Sequence, residues 1–244
     1  MRTVKLYSII ALCMVCLWTS CTRRSNNYSS GIPVRPTPVA RQQSNTPRVS
    51  EVRPSHVNQG TLSASDVFEK YNSAVFMVYT SNGWNDFQGS GFFINSSGLA
   101  VSNYHVFQGT GVGLETIKLS NGTKCKVKEV VAKSSEYDFI LFYVDIPNYC
   151  NYIPLSNRNC KVGEKVFTIG SPRGLENTFS SGEISQLRGD YVIQINAPID
   201  HGSSGGVLLN EYGEAIGITS AGMDDSGANL NFAIDIQVVK PYIR

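Results

Sequence analysis

The stretch "IDHGSSGGVLL", Ile199 to Leu209, sets two serines among glycines, directly after an Asp-His pair and before an apolar run. Glycine loses more backbone freedom on folding than any other residue, so such a cluster marks an unusual turn or a close approach by another molecule. A serine hydroxyl is a weak nucleophile until a base removes its proton. Acyl transfer also needs donors aimed at the developing oxyanion, and the N–H groups of a tight glycine-containing turn supply them. The stretch therefore reads as a nucleophile turn. The Ser204 hydroxyl attacks, and the N–H groups of Gly202 and Ser204 face the oxyanion.

Such a turn needs a base and a carboxylate from elsewhere. The chain has three His. His56 lies in a polar segment, and His201 is too near Ser204 in sequence to face it. His105 remains, in "GSGFFINSSGLAVSNYHVF". Glu136, Asp138 and Asp145 compete as its carboxylate. Asp138 fits best because it opens an apolar run, where an ionised side chain is costly unless paired. His105 and His201 lack metal-ligand spacing, and no C-x-x-C occurs among Cys125, Cys150 and Cys160. No metal or cofactor is expected. Cys150 and Cys160 flank a short loop and could pair, leaving Cys125 over.

The elements carrying these residues read as strands. Ser63 with Asp66 suits a short helix start. After it come "AVFMVYT", "GFFIN", "LAVSN", "TIKLS", "CKVKEVV", "FILFYVDI", "KVFTIG", "YVIQIN", "GVLLN", "AIGITSA" and "LNFAID". All are short and rich in β-branched and aromatic residues, and turn residues separate them. "SNGT", "RGD" and "EYGE" mark hairpin turns, so "RGD" is read as a hairpin tip. The series predicts an antiparallel all-β barrel or sandwich.

The N-terminus has Arg2 and Lys5, an apolar run from Leu6 to Trp18, and small residues before Cys21. This is the pattern of a secretory signal peptide, residues 1–20. "TSC" resembles a bacterial lipobox with Trp18 where Leu is usual, which implies a lipid anchor on Cys21. Residues 21–61 read as a disordered basic tether. From Thr22 to Gly60 there are six Arg and one acid; from Thr61 to the end there are 13 basic and 18 acidic residues. The mildly acidic folded part argues against a nucleic-acid partner.

The motifs together resemble trypsin-like serine peptidases of the chymotrypsin clan, in the HtrA (Deg) branch. "GSGFFINSSGLAVSNYHV" resembles its His motif, "DFIL" its Asp motif, and "GSSGGVLLNEYGEAIGI" its Ser motif. "TIGSPRGLENTFSSGEIS" and "NFAI" resemble the stretches around them. The resemblance spans about Leu62 to Lys240. It implies two six-stranded antiparallel barrels with short N- and C-terminal helices, one barrel at about 74–150 and the other at about 155–238. The site lies between them. His105 is base and then acid, Asp138 orients it, and Ser204 is the nucleophile. Gly202 and Ser204 form the oxyanion hole. Ser220, Ala221 and Gly222 lie beside the substrate backbone, where a polypeptide adds as a strand.

Ser203 stands where trypsin-type zymogens carry the Asp that pairs with a newly cut N-terminus, so that activation route is not expected. Val207 replaces a usual Pro, and no PDZ region is expected after the last strand. Ile199, Asp200 and His201 are expected at the primary pocket or its rim. Ile199 and Ala221 suit a small or medium apolar side chain. Asp200 either selects a basic residue or is a structural polar group. The functional expectation is an exported, lipid-anchored, periplasm-facing serine endopeptidase acting on polypeptides. The alternative is a peptidase-fold lipoprotein that binds extended peptides without cutting them.

Overall fold

Ser63 caps the first helix, as its spacing to Asp66 predicts. Its hydroxyl accepts from the Asp66 N–H at 3.2 Å, and the Asp66 carboxylate accepts from the Ser63 N–H at 3.3 Å. The structure is a computed structural model and describes residues 60–111, 113–171, 177–220 and 230–243. These fall in one compact unit, Ser55–Arg244. The expected signal peptide, Cys21, nearly all of the tether, and Ala221 and Gly222 lie outside the described residues. Helix α1 (Ala64–Tyr71) buries Val67 and Tyr71. No helix among the described residues is long and apolar enough to cross a membrane.

Seven strands follow: β1 (Val75–Ser81), β2 (Asp86–Phe93), β3 (Leu99–Ser102), β4 (Thr116–Lys118), β5 (Lys124–Cys125), β6 (Val127–Ser134) and β7 (Phe139–Val144). Helix α2 (Tyr104–Phe107) interrupts them after β3. They form one curled antiparallel sheet in the order β5-β4-β1-β2-β3-β7-β6. Six more strands close a second barrel in the order β10-β13-β12-β11-β8-β9. They are β8 (Lys165–Gly170), β9 (Thr178–Arg188), β10 (Val192–Ile195), β11 (Val207–Asn210), β12 (Ala215–Ser220) and β13 (Asn231–Asp235). Short 3-10 turns at Ile236–Val238 and Lys240–Tyr242 end the chain. The two-barrel all-β class is present, and its first half is a seven-stranded sheet with β5 and β6 as edges rather than a closed ring of six.

The strands read as continuous apolar runs because many are buried on both faces. Successive side chains point to opposite faces of a strand. On β1, Val75 enters a core shared by both halves, whereas Phe76 and Val78 enter the first half's interior. On β7, Phe139 and Leu141 take the shared core, and Ile140 and Phe142 the interior. On β11, Val207 and Leu209 take the shared core, and Leu208 the second barrel's interior. Period two thus persists without an apolar–polar alternation.

Three turns follow their sequence signals. Gly122, Gly189 and Gly213 each adopt positive φ in the "SNGT", "RGD" and "EYGE" turns. The longest strand, β9, was not among the expected strands. Its "TFSSGEISQLR" is largely exposed and fully buries only Ile184. Pairing with β8 on one side and β10 on the other holds it. The suggested Cys150–Cys160 pairing is not made, and Cys125, Cys150 and Cys160 are free thiols. Cys150 packs against the interior of the first half and Cys160 against that of the second barrel.

Candidate active site

The turn between β6 and β7 ends on Asp138, at φ 50, where left-handed backbone is uncommon for a residue other than glycine. Two contacts hold it there. The buried Asn103 side chain donates to the Asp138 carbonyl at 2.9 Å. The backbone N–H of His105 donates to Asp138 Oδ1 at 2.9 Å. The second carboxylate oxygen, Oδ2, lies 2.8 Å from His105 Nδ1. The structure therefore brings Asp138 to His105. Glu136 and Asp145, the competing carboxylates, are exposed and make no ion pair with it. A proton on Nδ1, donated to Asp138, leaves Nε2 as the imidazole's acceptor. Helix α2, which carries His105, is anchored from β1, where the Thr80 hydroxyl donates to the Val106 carbonyl at 2.8 Å.

The glycine-rich stretch forms two consecutive turns. In the first, Ser203 N–H donates to the Asp200 carbonyl at 3.0 Å, with Gly202 at φ 94. In the second, Gly206 N–H donates to the Ser203 carbonyl at 2.9 Å, with Gly205 at φ 88. Positive φ at the third turn position is the reason glycine stands at both places. Gly205 is further required by crowding, since a Cβ there would lie 2.2 Å from the Ser90 carbonyl oxygen and 2.3 Å from Ser102 Oγ.

Following each N–H through these turns is informative, because buried backbone donors are nearly always paired. His201 N–H donates to Asp200 Oδ1 at 2.7 Å. Ser203, Gly205 and Gly206 donate to the carbonyls of Asp200, Thr219 and Ser203. From His201 to Gly206, the N–H groups of Gly202 and Ser204 are the two that make no hydrogen bond with the described residues. The carbonyls are held as well. Gly202 accepts from the Ser90 hydroxyl at 2.8 Å, Ser203 from the Thr219 hydroxyl at 2.8 Å, and Ser204 from Ser90 N–H at 2.7 Å.

The two halves meet at this point. A Cβ on Gly89 would lie 2.6 Å from Val106 Cγ1 and 3.1 Å from the Ser204 carbonyl oxygen. The residue after His105 and the backbone of Ser204 thus press on one spot of β2. Ser204 is 6% exposed, whereas the His105 side chain is 43% exposed. Among the described residues no hydrogen bond joins Ser204 Oγ to the His105 ring. Catalytic contacts of this type often tighten only when substrate arrives.

The other expected site residues flank the turn. Ile199 is half-buried against the interior of the second barrel. Asp200 and His201 are exposed, and Asp200 shapes the turn through its carbonyl and carboxylate. Ser220 ends β12 opposite Phe232. No group of three His, Cys, Asp or Glu among the described residues is placed to hold a metal. Sequence reading passed over Ser90, Asn103, Ser171 and Thr219. The visible signal for Ser90 was a hydroxyl between two glycines in "QGSGFF".

Residues 89–218, more than half of the chain, match the model of the trypsin-like peptidase domain. A probable periplasmic serine endoprotease, DegP-like, of Rhizobium meliloti is 34% identical over 167 residues, covering 64% of this chain and 32% of that protein. The serine protease HTRA1A of Danio rerio is 33% identical over 201 residues, covering 73% and 40%. The chain thus spans well under half the length of these relatives. The crystal structure of the serine endoprotease from Yersinia pestis aligns with a TM-score of 0.66 at 26% identity, over 74% of this chain and 65% of that one. The matched segment opens at the Gly89 contact and runs past the glycine-rich turn, so sequence and architecture give one answer: the chain belongs to the trypsin-like peptidase family.

Proposed function

We propose that the chain is a serine endopeptidase, exported and held at the bacterial envelope by a lipid on Cys21 and the tether that follows. Residues 62–244 form the peptidase domain. The observation that carries this reading is a pair of N–H groups, those of Gly202 and Ser204, that make no hydrogen bond with the described residues on the turn that presents a serine. His105 Nε2 takes the Ser204 proton as Oγ attacks the scissile carbonyl. The two N–H groups receive the charge that develops on oxygen. His105 then returns the proton to the leaving amine, and water hydrolyses the acyl-enzyme by the same route. Asp138 keeps the imidazole in one tautomer and stabilises its cation. Substrate is an extended polypeptide lying along Ser220 to Gly222, with its side chain near Ile199, Asp200 and His201. The names of the bacterial relatives, periplasmic endoproteases, support the location and the substrate class.

A fluorophosphonate probe tests this directly. Labelling of the wild-type chain that vanishes in Ser204→Ala is the expected result. Labelling that persists in Ser204→Ala overturns the assignment of the nucleophile. The second reading, a latent peptidase fold that binds extended peptides, is favoured by the missing bond between His105 and Ser204. It predicts no labelling in either protein and binding of unfolded polypeptide by both.

A further inference from the structure

We infer that Ser90, on β2 of the first half, is a positioning residue for the turn that carries Ser204. The inference rests on the peptidase reading above. Ser90 is wholly buried, and each of its polar groups is used. Its N–H donates to the Ser204 carbonyl at 2.7 Å. Its carbonyl accepts from the Ser102 hydroxyl at 2.7 Å. Its own hydroxyl accepts from Ser171 N–H at 2.9 Å and donates to the Gly202 carbonyl at 2.8 Å. With the Ser171 donor on one lone pair, the single hydroxyl proton has the Gly202 oxygen as its acceptor.

The two carbonyls that Ser90 holds belong to Gly202 and Ser204, the same two residues whose N–H groups make no hydrogen bond with the described residues. A peptide unit is planar, so holding these carbonyls fixes the 202–203 and 204–205 planes, which adjoin the two donors at their Cα atoms and limit how far either N–H can swing. One side chain and one amide of the first half thus restrain the backbone around both donors of the second. The same residue reaches toward the base. Ser102, bonded to the Ser90 carbonyl, is followed by Asn103, which holds Asp138, and then by His105. Ser171 is tied in too, since its carbonyl accepts from the Gln88 side chain at 2.6 Å. Ser90 therefore sets the distance between base and oxyanion donors across the junction of the two halves. It touches no reacting atom. Its loss acts on the rate of the chemical step and not on the affinity for a ligand.

The experiment measures fluorophosphonate labelling of the full-length chain in detergent as a function of probe concentration, which separates the maximal rate from the half-saturating concentration. Ser90→Ala is expected to lower the maximal rate about 10- to 100-fold, less than loss of an oxyanion donor itself, and to leave half-saturation within about twofold. Ser156→Ala is the control. Ser156 is equally buried, and its hydroxyl donates to Glu214 at 2.9 Å and accepts from Arg158 N–H at 3.2 Å, away from the turn. It is expected to lower the melting temperature without slowing labelling. Should Ser90→Ala fail to fold, Ser90→Cys, with a weaker donor in the same place, carries the test, with about 3- to 10-fold slower labelling expected. A folded Ser90 variant that labels at the wild-type rate overturns the inference alone. A wild-type chain that is not labelled overturns the proposed function and the inference with it.

Discussion

The two halves of the molecule solve the same packing problem differently. The interior of the first half is built on rings. Phe76 and Phe93 lie 4.8 Å apart by centroid, and Phe142 contacts Phe76 at 6.4 Å and Phe107 at 5.1 Å. The interior of the second barrel is aliphatic, with Val166, Ile184, Ile193, Ile195, Leu208 and Ile216. A closed ring of six strands leaves an interior that aliphatic side chains fill. The open curled sheet has edges, and large rings fill its concave side. The chemistry divides along the same line. The open half carries an exposed imidazole, that of His105, to which the proposed reaction gives the proton transfers. The closed half carries a buried turn whose carbonyls are held by Ser90 and Thr219. The closed barrel thus holds the buried part of the site, and the open sheet holds the exposed part.

This contrast can be broken most forcefully at the site. His105→Ala is expected to lower fluorophosphonate labelling and peptide hydrolysis by about 10,000-fold or more while leaving residual activity, because the donors of the second half survive the loss of the base. If His105→Ala labels at close to the wild-type rate, the base lies elsewhere. Gly205→Ala tests the rigid turn. Its left-handed backbone alone costs about 1–2 kcal/mol, and the contacts with Ser90 and Ser102 add to that. Urea unfolding should show a far larger loss than for Gly189→Ala, which also has positive φ but meets nothing within 4 Å. Equal losses would mean that the close approach does not matter.

The cores come next. Phe142→Ala is expected to cost about 3–5 kcal/mol and Leu208→Ala about 2–5 kcal/mol by chemical denaturation. If relaxation of the open sheet closes the cavity, the Phe142 loss falls below the Leu208 loss and the contrast in rigidity sharpens. The smallest effect concerns Asp235, at the end of β13. Burial raises its carboxyl pKa, against the Gln237 N–H and Lys240, which lower it. A raised folded pKa means that the folded state binds the proton more tightly. Its contribution to stability is present below the ordinary carboxylate range and is lost as pH rises through the folded pKa. Asp235→Asn keeps an acceptor for Gln237 N–H. It should melt at or slightly above the wild-type temperature at neutral pH, with the difference closing on acidification. A constant deficit at every pH would mean that the charge itself is stabilising.

Much of this is legible in the sequence, for identifiable reasons. Ser204, His105 and Asp138 stand out because serine among glycines, a lone usable histidine and a carboxylate opening an apolar run are each costly without a purpose. The turns were legible because positive φ selects glycine. What stayed hidden depends on partners distant in sequence. Ser90 and Thr219 look like ordinary strand hydroxyls until the fold sets Gly202 and Ser203 against them. Strand β9 has no apolar run because only Ile184 must be fully buried, and its neighbours supply the rest. The open first sheet could not be read from strand count, since β5 is two residues long and merges in sequence with β6.

The three free thiols have a consequence for the life of the protein. Burial pushes Cys160 up to about 12 and raises Cys125 and Cys150 as well, so little thiolate is available for exchange. Cys150 and Cys160 are committed to different interiors. The native state therefore asks nothing of an oxidising compartment. The described fold stands without a disulfide among Cys125, Cys150 and Cys160, so neither a disulfide isomerase nor added reductant should change its melting temperature.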